Sequence, residues 1–209
     1  TLRSSDGGAS WASVGAVVAS LPPVHVDVHV LTYTSPSEFV VGSDGGIFTT
    51  TDEGVTWNSM INALLPTFMF FNVSIEQFGG NVRYGGAQDH GTIGTNPGSP
   101  DEWILRMFGD GIDVGFNPAS AATIYAVINN SRPKWRLRST DQGYSFTEIN
   151  KGIDSNAVGQ DFWGTRIIPG KSSSKKIFTN AGHYVYWSTD RGDNWTMILG
   201  TDPKGNVGH

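Results

Sequence analysis

Five aromatic residues stand at near-regular intervals along the chain: Trp11, Trp57, Trp103, Phe146 and Trp195, spaced by 46, 46, 43 and 49 residues. Four of them close a short signature. It reads Ser4-x-Asp6-x-Gly8-x-x-Trp11, Thr50-x-Asp52-x-Gly54-x-x-Trp57, Ser139-x-Asp141-x-Gly143-x-x-Phe146 and Ser188-x-Asp190-x-Gly192-x-x-Trp195. A period between 20 and 50 residues marks a repeat architecture, in which each repeat is one supersecondary unit whose apolar face is buried by its neighbours.

The signature has a local physical reason. An aspartate two residues before a glycine, between two runs able to form strands, reads as a hairpin turn: the carboxylate accepts backbone N–H groups and the glycine supplies a positive φ. The ring three residues later covers the turn from the following strand. Asp6, Trp11, Asp52, Gly54, Trp57, Asp141, Gly143, Phe146, Asp190, Gly192 and Trp195 are therefore read as structural residues.

Composition fits many short strands and turns, with 27 Gly and 10 Pro in 209 residues. A formal charge of −5 with no basic cluster argues against a nucleic-acid footprint. The lysines between 171 and 176 sit among serines and read as a solvated loop. The absence of cysteine removes disulfides and thiolate chemistry. No apolar run approaches the roughly 18 residues that cross a bilayer.

Each repeat divides into four strand-like runs, the make-up of a propeller blade. The predicted strands are 24–33, 38–42, 46–50 and 55–61 in the first full repeat, and 68–75, 81–85, 91–95 and 102–108 in the second. The third offers 112–116, 123–128, 134–138 and 144–149, and the fourth 162–168, 176–179, 184–187 and 194–199. The resulting organisation is the end of a blade at 1–18, blades at 19–63, 64–108, 109–152 and 153–201, and a tail at 202–209. The second repeat has lost its signature at residues 96–101, but Trp103 keeps the register, so a hairpin with different turn chemistry is expected there. The fold expected is an all-β propeller arc of four-stranded antiparallel blades, four full and one partial. A common seven-bladed ring takes about 320 residues at this period, so the arc is expected to be part of a larger propeller, completed by more of the same polypeptide or by partner chains.

Propellers place ligands around the central channel, so the innermost strands and their loops hold the candidate chemistry. Period two on the run 24–30 puts His25, Asp27 and His29 on one face and valines on the other. Two imidazoles and a carboxylate form a ligand set for a divalent metal, although residues two apart on a strand are separated by about 6.5 to 7 Å; the other reading is a hydrogen-bonded polar strand in a wet channel. Gln88, Asp89 and His90 form a second polar cluster, in a turn matching Ser43-Asp44-Gly45 of the preceding repeat. Asp110 and Asp113 enter the next innermost strand, Asp110 flanked by glycines.

The boxes resemble the Asp-box of bacterial neuraminidase-type repeats, shared by sialidases, xyloglucanase-type glycoside hydrolases, sortilin-like receptors and bacterial secreted propellers. The order H-x-D-x-H, G-S-D-G-G-I-F, G-G-A-Q-D-H-G-T and G-D-G-I-D-V-G-F-N-P extends that resemblance over nearly the whole chain, with His90 where such proteins often carry Asn. The resemblance implies a bacterial extracellular or periplasmic protein whose boxes are structural. The function expected from the innermost strands is a recognition scaffold for carbohydrate or protein at the channel mouth, with His25, Asp27, His29, Gln88, Asp89, His90 and Asp110 as the ligand-facing set. Two alternatives stand beside it. A xyloglucanase-type hydrolase would draw its paired carboxylates from Asp27 and Asp110 or Asp113; an assembly module would use unpaired blade faces. A sialidase is disfavoured, because the nearest match to its F/Y-R-I-P segment, Thr165-Arg166-Ile167-Ile168-Pro169, has an extra residue and no aromatic before the arginine.

Overall fold

The structure is a computed structural model that describes residues 2–14, 24–25, 27–59, 69–129, 135–154 and 164–199. Every regular element among them is a β-strand, and no helix is long and apolar enough to cross a membrane. The chain divides into two compact units, Thr1–Phe68 and Met69–His209.

In the first unit, β1 (Leu2–Arg3) pairs with β2 (Ala12–Ser13), and β3 (Val28–Tyr33), β4 (Phe39–Ser43) and β5 (Gly46–Thr50) form an antiparallel meander. Phe39, Val41, Phe48 and Trp57 make its core, with Phe39 and Trp57 packed edge to face at 5.4 Å. The expected fourth strand at 55–61 is reduced, among the described residues, to one bridge between Thr49 and Asn58. The expected strand at 24–33 begins only at Val28, because Asp27 adopts φ +57°, a left-handed conformation that no pleated strand contains.

The second unit holds three four-stranded meanders in chain order. They are β6 (Phe70–Ile75), β7 (Arg83–Ala87), β8 (Gly91–Asn96) and β9 (Ser99–Met107); β10 (Asp110–Asn117), β11 (Ser120–Asn129), β12 (Trp135–Ser139) and β13 (Thr147–Glu148); and β14 (Ile167–Pro169), β15 (Ile177–Ala181), β16 (Tyr184–Ser188) and β17 (Thr196–Leu199). At the lost signature, β8 and β9 are joined through Pro97 and Gly98 in a tight hairpin with Asn96 opposite Ser99.

Strand β11 shows how the sheets stack. Its alternation sends Ile124 and Ala126 into a cluster with Tyr84, Val114 and Phe116, and Tyr125 and Val127 into another with Ile167, Ile177, Tyr186 and Trp195. Both faces are buried, so the strand reads as a continuous apolar run rather than an amphipathic one. Strand β10 packs on β6, β7 and β8 on one side and on β14 on the other. Its approach to the β7–β8 hairpin needs glycine: a Cβ at Gly111 would collide with the backbone of Gly91 and Ala87, and one at Gly86 with that of Gly111 and Ile112.

The four signature turns share one geometry. The Ser or Thr hydroxyl donates to the Asp Oδ1 at 2.7–2.8 Å and accepts the N–H of the Gly at 2.7–2.9 Å. The same Oδ1 accepts the N–H of the residue four further on at 2.8–2.9 Å, and Oδ2 accepts that residue's side chain at 2.5–2.8 Å. Bonds from Ser10, Ser145 and Asn194 hold the carboxyl groups of Asp6, Asp141 and Asp190 down at about 2, and Thr56 likewise lowers Asp52.

These turns also latch neighbouring sheets. The residue after the Asp is left-handed at Glu53, Gln142 and Arg191. Its carbonyl accepts a hydrogen bond from the preceding sheet: Arg3 Nη1 to Glu53, Tyr84 Oη to Gln142 and Arg138 Nη1 to Arg191, at 2.6–2.9 Å. A local turn thereby becomes an inter-sheet joint.

Candidate functional site

The innermost strands β6, β10 and β14 each lie at the edge of their sheet. Strands β6 and β10 carry a β-bulge near their start, between Phe70 and Asn72 and between Gly111 and Asp113. Pairing from the signature inward runs Ser139–Ile124–Phe116 in one sheet and Ser188–Ile177–Pro169 in the next; the matching residue of β6 is Ile75, opposite Arg83. Three residues before each of these anchors stand Asn72, Asp113 and Arg166. They form one polar row across three successive sheets.

The row lines a cavity of about 640 Å³, walled also by Ser74, Ile75, Gln77, Pro118, Ile168 and Pro169, with Lys171 at its edge. Asp113 is its buried member. Oδ2 accepts the Ile167 N–H at 2.7 Å, and Arg166 Nη1 approaches Oδ1 at 3.8 Å, an ion-pair distance beyond hydrogen bonding. Oδ1 is buried with no hydrogen-bond partner among the described residues. Burial pushes the Asp113 carboxyl up to about 6, while the Ile167 N–H, the Arg166 charge and the Asn72 amide offset part of that rise. Its side chain is 2% exposed, whereas that of Arg166 is 45% exposed. A ligand in the cavity therefore meets the cation first.

Asp110, on the same strand, has a different environment. Its carboxylate accepts the Asp89 N–H at 3.0 Å and the Asn129 side-chain amide at 3.1 Å, which ties the β7–β8 turn to β10. In that turn Asp89 is left-handed at φ +60°, and His90 Nδ1 lies 3.1 Å from the Gln88 carbonyl. Gln88, Asp89 and His90 share the β7–β8 turn, and Asp110, expected separately on the next innermost strand, is joined to that turn through the Asp89 N–H.

The expected shared face of His25, Asp27 and His29 does not form. Asp27 precedes the strand in a left-handed conformation, and a bulge between Val28 and Val30 shifts the pairing at His29. His29 Nε2 lies 2.5 Å from Asp44 Oδ1, and His25 packs against Gly45, where a Cβ would strike its ring. Strict period two fails here because two irregularities interrupt five residues.

Asn72 and Arg166 were not singled out as site residues from the sequence. Hairpin lengths differ between repeats, so these positions have no constant offset from the signature; strand pairing is the signal that aligns them. Two aromatics outside the repeat spacing pack within their own sheets: Phe70 on Trp103 at 5.4 Å and Trp187 against Phe178 at 6.5 Å. Phe162 and Trp163 lie outside the described residues.

No protein-family model matches the chain, and no curated protein does. Solved structures resemble it in fold. An ancestral GH74 enzyme superposes with a TM-score of 0.53 at 19% identity, over 85% of this chain and 25% of its own. The GH74 xyloglucanase from Xanthomonas campestris gives 0.50 at 14% identity, over 99% and 35%, and the GH74 enzyme of Niastella koreensis 0.50 at 14%, over 93% and 34%. The chain thus spans between a quarter and about a third of the length of these structures. With its four-stranded antiparallel sheets, the likeness identifies an all-β chain of β-propeller fold.

Proposed function

We propose that this chain is a recognition module of the Asp-box propeller type, bacterial and extracytoplasmic, that holds its ligand against the innermost strands β6, β10 and β14. The observation that carries this reading is the row Asn72, Asp113 and Arg166, set by three separate sheets along one cavity of about 640 Å³. Concave sites in which polar groups converge beside apolar walls are where scaffolds commonly bind small ligands. A buried Asp113 Oδ1 with no hydrogen bond among the described residues adds to it, since buried polar atoms are normally satisfied. The test is a cavity-filling change, Ser74→Trp, with binding of xyloglucan heptasaccharide and of short charged peptides followed by amide chemical shifts. The expected result is that one probe shifts resonances of β6, β10 and β14 and that Ser74→Trp removes those shifts. Shifts confined to other surfaces, or none from any probe, would overturn the reading.

A glycoside hydrolase is favoured by one feature, the Asp113 carboxyl raised to about 6, which suits a general acid. Inverting hydrolysis needs a second carboxylate about 6.5 to 9.5 Å away. Among the described residues lining the cavity Asp113 is the one carboxylate, so the second would come from outside that set. Release of reducing ends from xyloglucan, abolished by Asp113→Ala, would establish this alternative over recognition.

A further inference from the structure

The cavity presents two charges of opposite sign with very different access. The Asp113 side chain is almost fully covered, while the Arg166 guanidinium is nearly half exposed and donates no hydrogen bond among the described residues. Its one charged neighbour there, Asp113 Oδ1, stands at 3.8 Å. A guanidinium carries five N–H donors in a planar fork that matches a carboxylate in two parallel bonds. Lys171, exposed on the same rim, adds a second positive charge, and no other acidic residue lines the cavity among those described. Electrostatically the site accepts an anion.

The walls decide what kind of molecule carries that anion. Sugar rings are commonly held on an exposed aromatic face, and among the described residues of this lining the one aromatic, Phe116, is buried in the core cluster beneath it. Ile75, Ile168, Pro118 and Pro169 alternate instead with the short polar side chains Asn72, Ser74 and Gln77. Strand β10 is buried along 111–117 and the Ile167 N–H of β14 is taken by Asp113, but β6 is a partly exposed edge strand, whose backbone groups can pair with an extended chain by strand addition. Apolar patches, amides and a strand edge together suit a polypeptide better than a saccharide.

We infer that this cavity receives an extended peptide segment bearing an acidic side chain, whose carboxylate is held by the Arg166 guanidinium. The inference rests on the recognition reading above and adds the ligand's class. Asp113 then has a definite part. As the buried acid next to Arg166 it orients the guanidinium but repels the incoming carboxylate, so its neutralisation strengthens binding. A purely structural Asp113 would have the opposite effect, because its loss would disorder the site.

The experiment uses the full 209-residue chain and fluorescein-labelled heptapeptides with both termini blocked, Gly-Ser-Gly-Glu-Gly-Ser-Gly and its Gln and Lys counterparts, followed by anisotropy. The Glu peptide is expected to bind at least about tenfold more tightly than the Gln peptide, and the Lys peptide not at all, as a lost charge-assisted bidentate pair implies. Arg166→Gln should erase the Glu preference, Arg166→Lys should retain part of it, and Asp113→Asn should tighten the Glu peptide. Both Arg166 variants alter a half-exposed side chain, and their melting temperatures report whether the fold is kept. Equal binding of Glu and Gln peptides that Ser74→Trp still blocks would overturn the acidic-segment inference and leave the recognition reading standing. Cavity shifts from xyloglucan heptasaccharide with no peptide binding would do the same. Absence of any cavity binding by either class would overturn both.

Discussion

Asp190 in a signature turn and Asp113 on an innermost strand are the same side chain in opposite settings. Both oxygens of Asp190 are engaged, by Ser188, by the Asn194 N–H and by the Asn194 amide, and its carboxyl sits at about 2 although it is near the surface. Asp113 is buried against a neighbouring sheet, has one oxygen without a hydrogen bond among the described residues, and its carboxyl is pushed up to about 6. A carboxylate saturated by its own loop stabilises that loop and has nothing left to offer a ligand. One taken from water by tertiary packing and left half satisfied is costly to keep charged, and that cost is the mark of a site rather than of a turn.

The largest effect that sharpens this contrast is expected from Gly143→Val. Gly143 has φ +81°, and a Cβ there would strike the Tyr84 ring and hydroxyl. Strain and overpacking together should cost about 3 kcal/mol or more, read as a large fall in the urea midpoint; a near-normal midpoint would break the assignment of the boxes as inter-sheet joints.

Next comes pH. Asp113 is raised in the folded state, from 3.8 to about 6, so its contribution to stability is fully present below pH 3.8 and is lost as pH rises through about 6. A shift of that size corresponds to roughly 3 kcal/mol. The box aspartates are depressed, so theirs is present above pH 3.8 and lost as pH falls toward about 2. Urea unfolding across pH 2 to 8 should show both limbs, and Asp113→Asn should flatten the upper one alone. Retention of the upper limb in that variant would remove Asp113 as its source.

Smaller still, Asp190→Ala should cost about 1 to 2 kcal/mol through loss of acceptors for the turn, without altering peptide binding. Unchanged melting would contradict the box geometry. Smallest in stability is Arg166→Gln, expected within about 0.5 kcal/mol of the parent because its ion pair is long and half exposed. A marked fall in its melting temperature would recast Arg166 as structural.

Much of this fold was legible in the sequence because its signals are local. A turn whose donors and acceptors lie within four residues, such as Thr50 to Thr56, writes itself as a motif, and the aromatic ruler counts the repeats. Most strands of the second unit fall close to their expected positions for the same reason, since β11 and β16 carry apolar runs bounded by turn residues; β13 shrinks to Thr147–Glu148 within the expected 144–149, and β14 (Ile167–Pro169) meets the expected 162–168 only at its end. The candidate site was legible only in part. Asp113 is among the acids the sequence offers, and Asp110 accepts the Asp89 N–H, but the face expected from His25, Asp27 and His29 is broken by a left-handed aspartate and a bulge that period two cannot foresee.

The sequence by itself therefore determined the repeat, the turn chemistry and the strand-rich class, since each depends on neighbours a few residues away. Tertiary structure alone decided which polar residues share a surface. Asn72, Asp113 and Arg166 come from three repeats with unequal hairpins, and only inter-strand pairing and the stacking of sheets through Gly86 and Gly111 bring them into one row. It also decided their chemistry, because the desolvation that lifts Asp113 and the exposure that frees Arg166 are properties of how the sheets pack, and no residue carries them alone.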